Sequence, residues 1–293
     1  KVQHPQRSMP SPLALPFALV NLLVIAGALV ASRRELSSFL PHTVSDRRAL
    51  LAVLLLALVL RAANPYYHVL WLDEWYPVGQ AEGLVHHRLN AFCVRGRMGD
   101  CQQFATFDGI GYPLVLSLTS SLLGFSDLAA RTVGVLGGTL TVALVYLLVR
   151  ILSRDHRSAL WATLVLALLP MHLRYGVTTR LVVLSVLTEC LAVLGAALHV
   201  RTGRSSAGWL AAASLAFHVT VRKENPLALV PLMIVYWLSG RKGVRPSPVP
   251  WIVALVLLTP YVAGWFEMSM GYIDVTDRLG TSSLRRNLDY VLY

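Results

Sequence analysis

Leu128–Val149, LAARTVGVLGGTLTVALVYLLV, is the stretch that decides the fold. Apart from Arg131 it is apolar or small throughout, and as one helix it is long enough to cross the ~30 Å hydrocarbon core of a bilayer. Leu13–Ala31 has the same character, with almost no charge. Composition agrees along the whole chain of 293 residues: 55% are hydrophobic, only 14% are charged, and mean hydropathy is +0.58. Soluble domains carry about 45–50% apolar and about 25% charged residues, so both departures point to lipid. The expected class is all-α: a polytopic transmembrane bundle forming a single transmembrane domain over residues 1–293, cut at both ends.

Candidate spans fall at about 13–31, 49–63, 128–150, 158–173, 179–198, 206–221, 226–239 and 249–266. The first is too long and too poorly flanked for a cleaved signal peptide. Net charge is +11, which could suggest nucleic acid, but the basic residues sit in short clusters between apolar runs. Arg33, Arg34, Arg47 and Arg48 separate the first two spans. Arg150, Arg154 and Arg157 follow the third, Arg201 and Arg204 the fifth, and Arg241, Lys242 and Arg245 the seventh. All four clusters then share one face, the cytoplasmic one by the positive-inside rule, and no nucleic-acid partner is expected.

Ile110–Leu123 is apolar but short, and Gly111 and Pro113 interrupt it. If it crossed, every later basic cluster would move outside, so it is expected to stay interfacial or re-entrant. Residues 64–127 thereby become one long extracytoplasmic loop with juxtamembrane segments, longer than a connection requires. The other outward segments are His172–Thr179, Arg222–Asn225 and the residues after Glu267.

That loop opens with Trp71-Leu72-Asp73-Glu74-Trp75-Tyr76-Pro77. Proline favours a first helical turn, and paired carboxylates suit the positive end of a helix. Val78, Ala81, Leu84, Val85 and Leu89 recur at helical spacing, which predicts an amphipathic helix on the membrane surface. Spacing alone leaves two roles for Asp73 and Glu74 equally open, as helix caps or as reactive groups.

Four places in order resemble the GT-C superfamily of membrane glycosyltransferases, near the protein O-mannosyltransferase and aminoarabinose-transferase branch. They are Asp73-Glu74 with Tyr76; Gly111-Tyr112-Pro113-Leu114 through Leu123-Gly124-Phe125-Ser126 to Ala130-Arg131; Leu169-Pro170-Met171-His172-Leu173-Arg174-Tyr175 with Arg180; and Arg222-Lys223-Glu224-Asn225. The resemblance covers Trp71 to about Tyr236. It departs at Tyr112-Pro113, where the family has a double proline, and at the insert Cys93–Cys101.

The resemblance implies transfer of a sugar from a polyprenyl-phosphate donor to a glycan, lipid or protein acceptor on the outer face of a plasma or inner membrane. The anomeric centre would be inverted. Asp73 would be the general base, with Glu74 orienting a partner or shaping the helix start. The leaving phosphate needs fixed positive charge, and Arg131, Arg174, Arg180, Arg222 and Lys223 all fall at outer helix ends. Tyr76, Asp108, His172, Tyr175 and Glu224 complete the expected substrate-binding set. The competing account of the arginines is snorkelling to headgroups.

No cofactor is required by this reading. Asp73, Asp108 and Glu224 could together hold a divalent cation, although the resembled branch does not generally use one. His86-His87 point about 100° apart on a helix and do not chelate. Cys93 and Cys101 share an exported loop, where a disulfide is expected, while Cys190 lies inside a span as packing. Glu189, near the middle of its span, is expected to pair with a basic residue of a neighbouring helix, yet it is also the strongest feature for a transporter or flippase of lipid-linked saccharide. A non-catalytic assembly subunit is the third alternative.

Overall fold

The computed structural model describes residues 14–63, 72–85, 91–93, 101–103, 109–124, 126–178, 181–222 and 247–259. In chain order these form α1 (Ala14–Ala31), α2 (Arg33–Ser38), α3 (Val44–Ala62), α4 (Leu72–Val85), β1 (Ala91–Cys93) and β2 (Cys101–Gln103). There follow α5 (Gly111–Leu123), α6 (Asp127–Ser153), α7 (His156–Leu168), α8 (Pro170–Tyr175), α9 (Leu181–Thr202), α10 (Ser205–Val221) and α11 (Val249–Thr259). The expected span 226–239 and the end of 249–266 lie outside the described residues.

Side-chain caps start three of the helices. Thr43 Oγ1 accepts from the Asp46 N–H, Ser126 Oγ from the Ala129 N–H, and the Asp155 carboxylate from the N–H groups of Arg157 and Ser158. Hydrogen bonds from Ser158, side chain and backbone, hold the exposed Asp155 carboxyl below its ordinary range. Gly203, at φ 69°, closes α9. The expected span 158–173 is broken instead. Leu169 precedes Pro170 and is therefore pushed to extended backbone (φ −62°, ψ 119°), so α7 stops at Leu168 and α8 starts afresh.

Helices α6 and α9 are long and apolar enough to cross a membrane, while α1, α5 and α11 are apolar but shorter. The bundle is apolar outside and partly polar within. Leu51, Leu55 and Val59 of α3, Leu136 and Leu140 of α6, Trp161 and Val165 of α7, and Ile252 and Val256 of α11 face outward. Asn21, Arg61, Arg131, Thr163 and His218 are buried. In water such a surface would aggregate; in lipid it is the exterior that solvates best. Glu189 is exposed on α9 and forms no ion pair among the described residues, contrary to the pairing expected for it.

One core joins Ala18, Ile25 and Ala28 of α1, Ala81 of α4, Tyr112, Leu114 and Leu116 of α5, Ala130 and Val133 of α6, and Leu210, Ala213 and Phe217 of α10. Helices α9 and α10 meet along small residues. A Cβ on Gly195 would lie 2.5 Å from the Ala211 backbone nitrogen and 3.0 Å from the Ala207 carbonyl oxygen, so the two backbones touch.

At one end of the bundle Arg204 pairs with Glu35, Arg201 donates to the Ile151 carbonyl and lies over the Phe39 ring, and His156 joins Tyr146 to Asp46. Three of the four basic clusters therefore gather at that end; the fourth lies outside the described residues. A two-stranded antiparallel ribbon, β1–β2, is the one departure from an all-helical chain among the described residues. Its register sets Cys93 opposite Cys101, so the expected bond would join directly opposed residues.

Candidate active site

The end of the bundle opposite those basic clusters carries the residues singled out from sequence. Helix α4 begins at Leu72, which puts Asp73 and Glu74 in its first turn and Tyr76 just beyond. The pair thus sits where the partial positive charge of a helix is concentrated. Pro77 corrects one expectation: it lies inside α4 rather than in its first turn. Having no N–H, it cannot donate to the carbonyl four residues back, that of Asp73.

Helix α4 lies on α5, with Pro77, Gly79, Gln80 and Ala81 buried. In turn α5 is clamped to the last turn of α10: a Cβ on Gly111 would lie 2.6 Å from Thr220 Oγ1 and 3.0 Å from Val221. Its other end passes through Gly124, at φ 80°, to the start of α6. Thirteen residues make a helix about 20 Å long, and both its ends meet helix ends on one side of the bundle. The acidic-pair helix and its support therefore share one layer with the start of α6 and the end of α10.

The basic residues divide by environment. Arg131 is 2% exposed, and its Nη1 donates to the Val177 carbonyl at 3.0 Å. The turn after α8 lies directly on α6, since a Cβ on Gly134 would come within 2.7 Å of the Thr178 carbonyl oxygen. Arg174 is exposed and Tyr175 half-buried on the same short helix as His172. Arg222 is exposed at the C-cap of α10. Asp108, Arg180, Lys223 and Glu224 lie outside the described residues. Among those described, no group of three His, Cys, Asp or Glu side chains is placed to hold a metal ion.

Two features escaped the sequence reading. Arg61, in the last turn of α3, is fully buried; its Nη1 donates to the Ala57 carbonyl at 2.7 Å and its Nη2 lies 2.5 Å from His172 Nδ1. The only signal was an arginine inside an apolar run, Leu60-Arg61-Ala62. Between α9 and α10, His218 Nδ1 lies 3.0 Å from Thr188 Oγ1 and 2.9 Å from the Ser185 carbonyl oxygen. His172, half-buried on α8 beyond the α7 span, has its pKa depressed to about 4 by burial and, less strongly, by the Arg61 charge.

Comparison with solved structures shows that this bundle shares its fold with a known protein. It resembles the S. cerevisiae protein O-mannosyltransferase Pmt1-Pmt2 complex bound to the sugar donor, with a TM-score of 0.53 at 14% identity. The likeness covers 83% of this chain and 35% of that one, so the chain spans about a third of the length of its structural relative. The family described as dolichyl-phosphate-mannose-protein mannosyltransferase matches residues 108–265, more than half of the chain, and the chain belongs to that family. The match begins after α4, leaving the acidic pair outside it. No curated protein matches the chain by sequence.

Proposed function

We propose that this chain carries the donor-side machinery of a glycosyltransferase, which moves a sugar from a polyprenyl-phosphate carrier to an acceptor hydroxyl on the extracytoplasmic face. Family membership over residues 108–265 supports the lipid-linked donor and makes mannose the first sugar to test. The observation that carries the reading is the place of Asp73 and Glu74, in the first turn of a helix packed on α5 in the same layer as the ends of α6 and α10.

In this reading Asp73 accepts the proton of the acceptor hydroxyl as that oxygen attacks the anomeric carbon. The polyprenyl phosphate leaves from the opposite face, so configuration inverts. Glu74 orients a partner or shapes the helix start. Arg174 and Arg222, exposed at outer helix ends, are the described cations best placed to meet the leaving phosphate; Arg180 and Lys223 are candidates from sequence alone. Arg131 donates through Nη1 to the Val177 carbonyl, holding the turn that follows α8 beside the site, and stays among the candidate phosphate contacts. Tyr76, His172 and Tyr175 contribute hydrogen bonds to the sugar or acceptor. A divalent cation held by Asp73, Asp108 and Glu224 is not needed for this scheme.

The test is transfer from polyprenyl-phosphate mannose by folded, membrane-inserted protein. Asp73→Asn keeps shape but cannot take up the proton, and should cost about 100- to 10,000-fold in turnover. Glu74→Gln should cost less. Near-normal turnover of Asp73→Asn would reduce Asp73 to a helix-start residue and reopen the transporter reading.

A further inference from the structure

Arg61 and His172 are 111 residues apart in sequence and meet at the outer end of the bundle. The guanidinium occupies a slot built by two glycines. A Cβ on Gly138 of α6 would lie 2.8 Å from Arg61 Nε, and one on Gly176, just after α8, would lie 2.9 Å from the same atom. The slot closes further because that Gly138 Cβ would also come within 3.2 Å of Gly176 Cα. Any side chain at either position must displace Arg61. Three elements, α3, α6 and α8, thus hold one cation against one imidazole nitrogen.

The chemistry of that contact runs in one direction. A guanidinium can only donate, so His172 Nδ1 must offer its lone pair. In the neutral ring the proton then sits on Nε2. Protonating Nδ1 would set an N–H against an N–H and two positive charges side by side. Nε2 is not buried and has no hydrogen-bond partner among the described residues.

We propose that Arg61 is a positioning residue: by occupying the Gly138–Gly176 slot and capping Nδ1, it fixes His172 as a neutral hydrogen-bond donor through Nε2, aimed at an oxygen of the phosphate-linked sugar. The purpose assigned to the donor rests on the proposed transferase function; the locked ring does not. An unrestrained histidine would divide between tautomers and gain charge near pH 6.5. A locked one presents the same donor across the physiological range.

The first experiment reads the ring directly in the full-length, membrane-inserted protein. Nitrogen-15 histidine spectra, with His172 assigned by its loss in His172→Gln, should show the Nε2–H tautomer unchanged from about pH 5 to pH 8. In Arg61→Met the same resonance should titrate at a higher pH than in the wild type, still below 6.5 because the burial of the ring remains, and the Nδ1–H tautomer should become populated. A wild-type His172 that titrates near 6.5, or carries its proton on Nδ1, overturns the positioning role, and this holds whether or not the protein is active and whether or not any Arg61 variant folds.

The second experiment reads purpose. Gly138→Ala crowds Arg61 Nε at 2.8 Å and forces it to shift without removing either partner, while also pressing on Gly176 Cα at 3.2 Å. With polyprenyl-phosphate mannose, its donor KM should become pH-dependent at a higher pH than in the wild type, below about pH 6.5 because the ring stays buried, and adding His172→Gln should abolish the dependence. Parallel wild-type and Gly138→Ala profiles would leave Arg61 as a structural tie. A wild type inactive on all polyprenyl-phosphate sugars, but with the locked ring, would refute the transferase reading while leaving the lock intact.

Discussion

Arg154 ends α6 at φ 61°, in the left-handed region that side chains with a Cβ enter at a cost, and its neighbours Arg150 and Arg201 crowd it with like charge. Arg154→Gly should therefore stabilise the protein by about 0.5–1 kcal/mol, measured as a raised unfolding midpoint in detergent. Ser126 makes the opposite case: its hydroxyl caps α6, and Ser126→Ala should lower stability by about 1 kcal/mol in the same assay. A serine before Asp127 and a long apolar run is a local signal, though the sequence reading passed over it. Arg61 was not legible. An arginine near the end of an apolar run reads as snorkelling, and nothing near it in sequence names His172 as its partner.

Among the elements, the α9–α10 seam and α1 place two glycines in opposite situations. A Cβ on Gly195 would strike the Ala211 and Ala207 backbone, which cannot step aside, whereas one on Gly27 would meet nothing within 4 Å. Gly195→Ala should cost roughly 1–3 kcal/mol by forcing the helices apart. Gly27→Ala should be neutral or stabilise by up to about 1 kcal/mol through helix propensity. Unfolding of the two variants side by side checks both signs. Helix existence was readable from apolar runs, and helix ends less so. The break at Leu169-Pro170 was hidden inside the apolar run assigned to 158–173, and Pro77 falls inside α4 rather than in its first turn.

For the molecule as a whole, charge parity predicts one shared basic face, and the structure gathers Arg150, Arg154, Arg201 and Arg204 at one end. If that end is cytoplasmic, Ser126→Cys should react with an impermeant thiol reagent from outside and Ser153→Cys from inside, in a background without other reactive cysteines. Swapped labelling would invert the proposed sidedness. The apolar exterior and the layered ends were thus legible in outline, from composition and charge. The geometry of the candidate site was legible only as a set of names. Which arginine turns inward and which stays exposed depends on glycines at Gly134, Gly138 and Gly176 that carry no signal until the helices are packed.

The burial of Arg61 also dictates an order of assembly. When α3 is made, the 111 residues that lead to His172 have yet to be synthesised, and the glycine slot on α6 does not exist. Until then the Arg61 guanidinium, in the last turn of α3, has only headgroups and water to satisfy it. The native position can be taken only after α6 to α8 have arrived. The contact is therefore a late closure, in which an early-made helix completes its packing through a partner encoded far downstream.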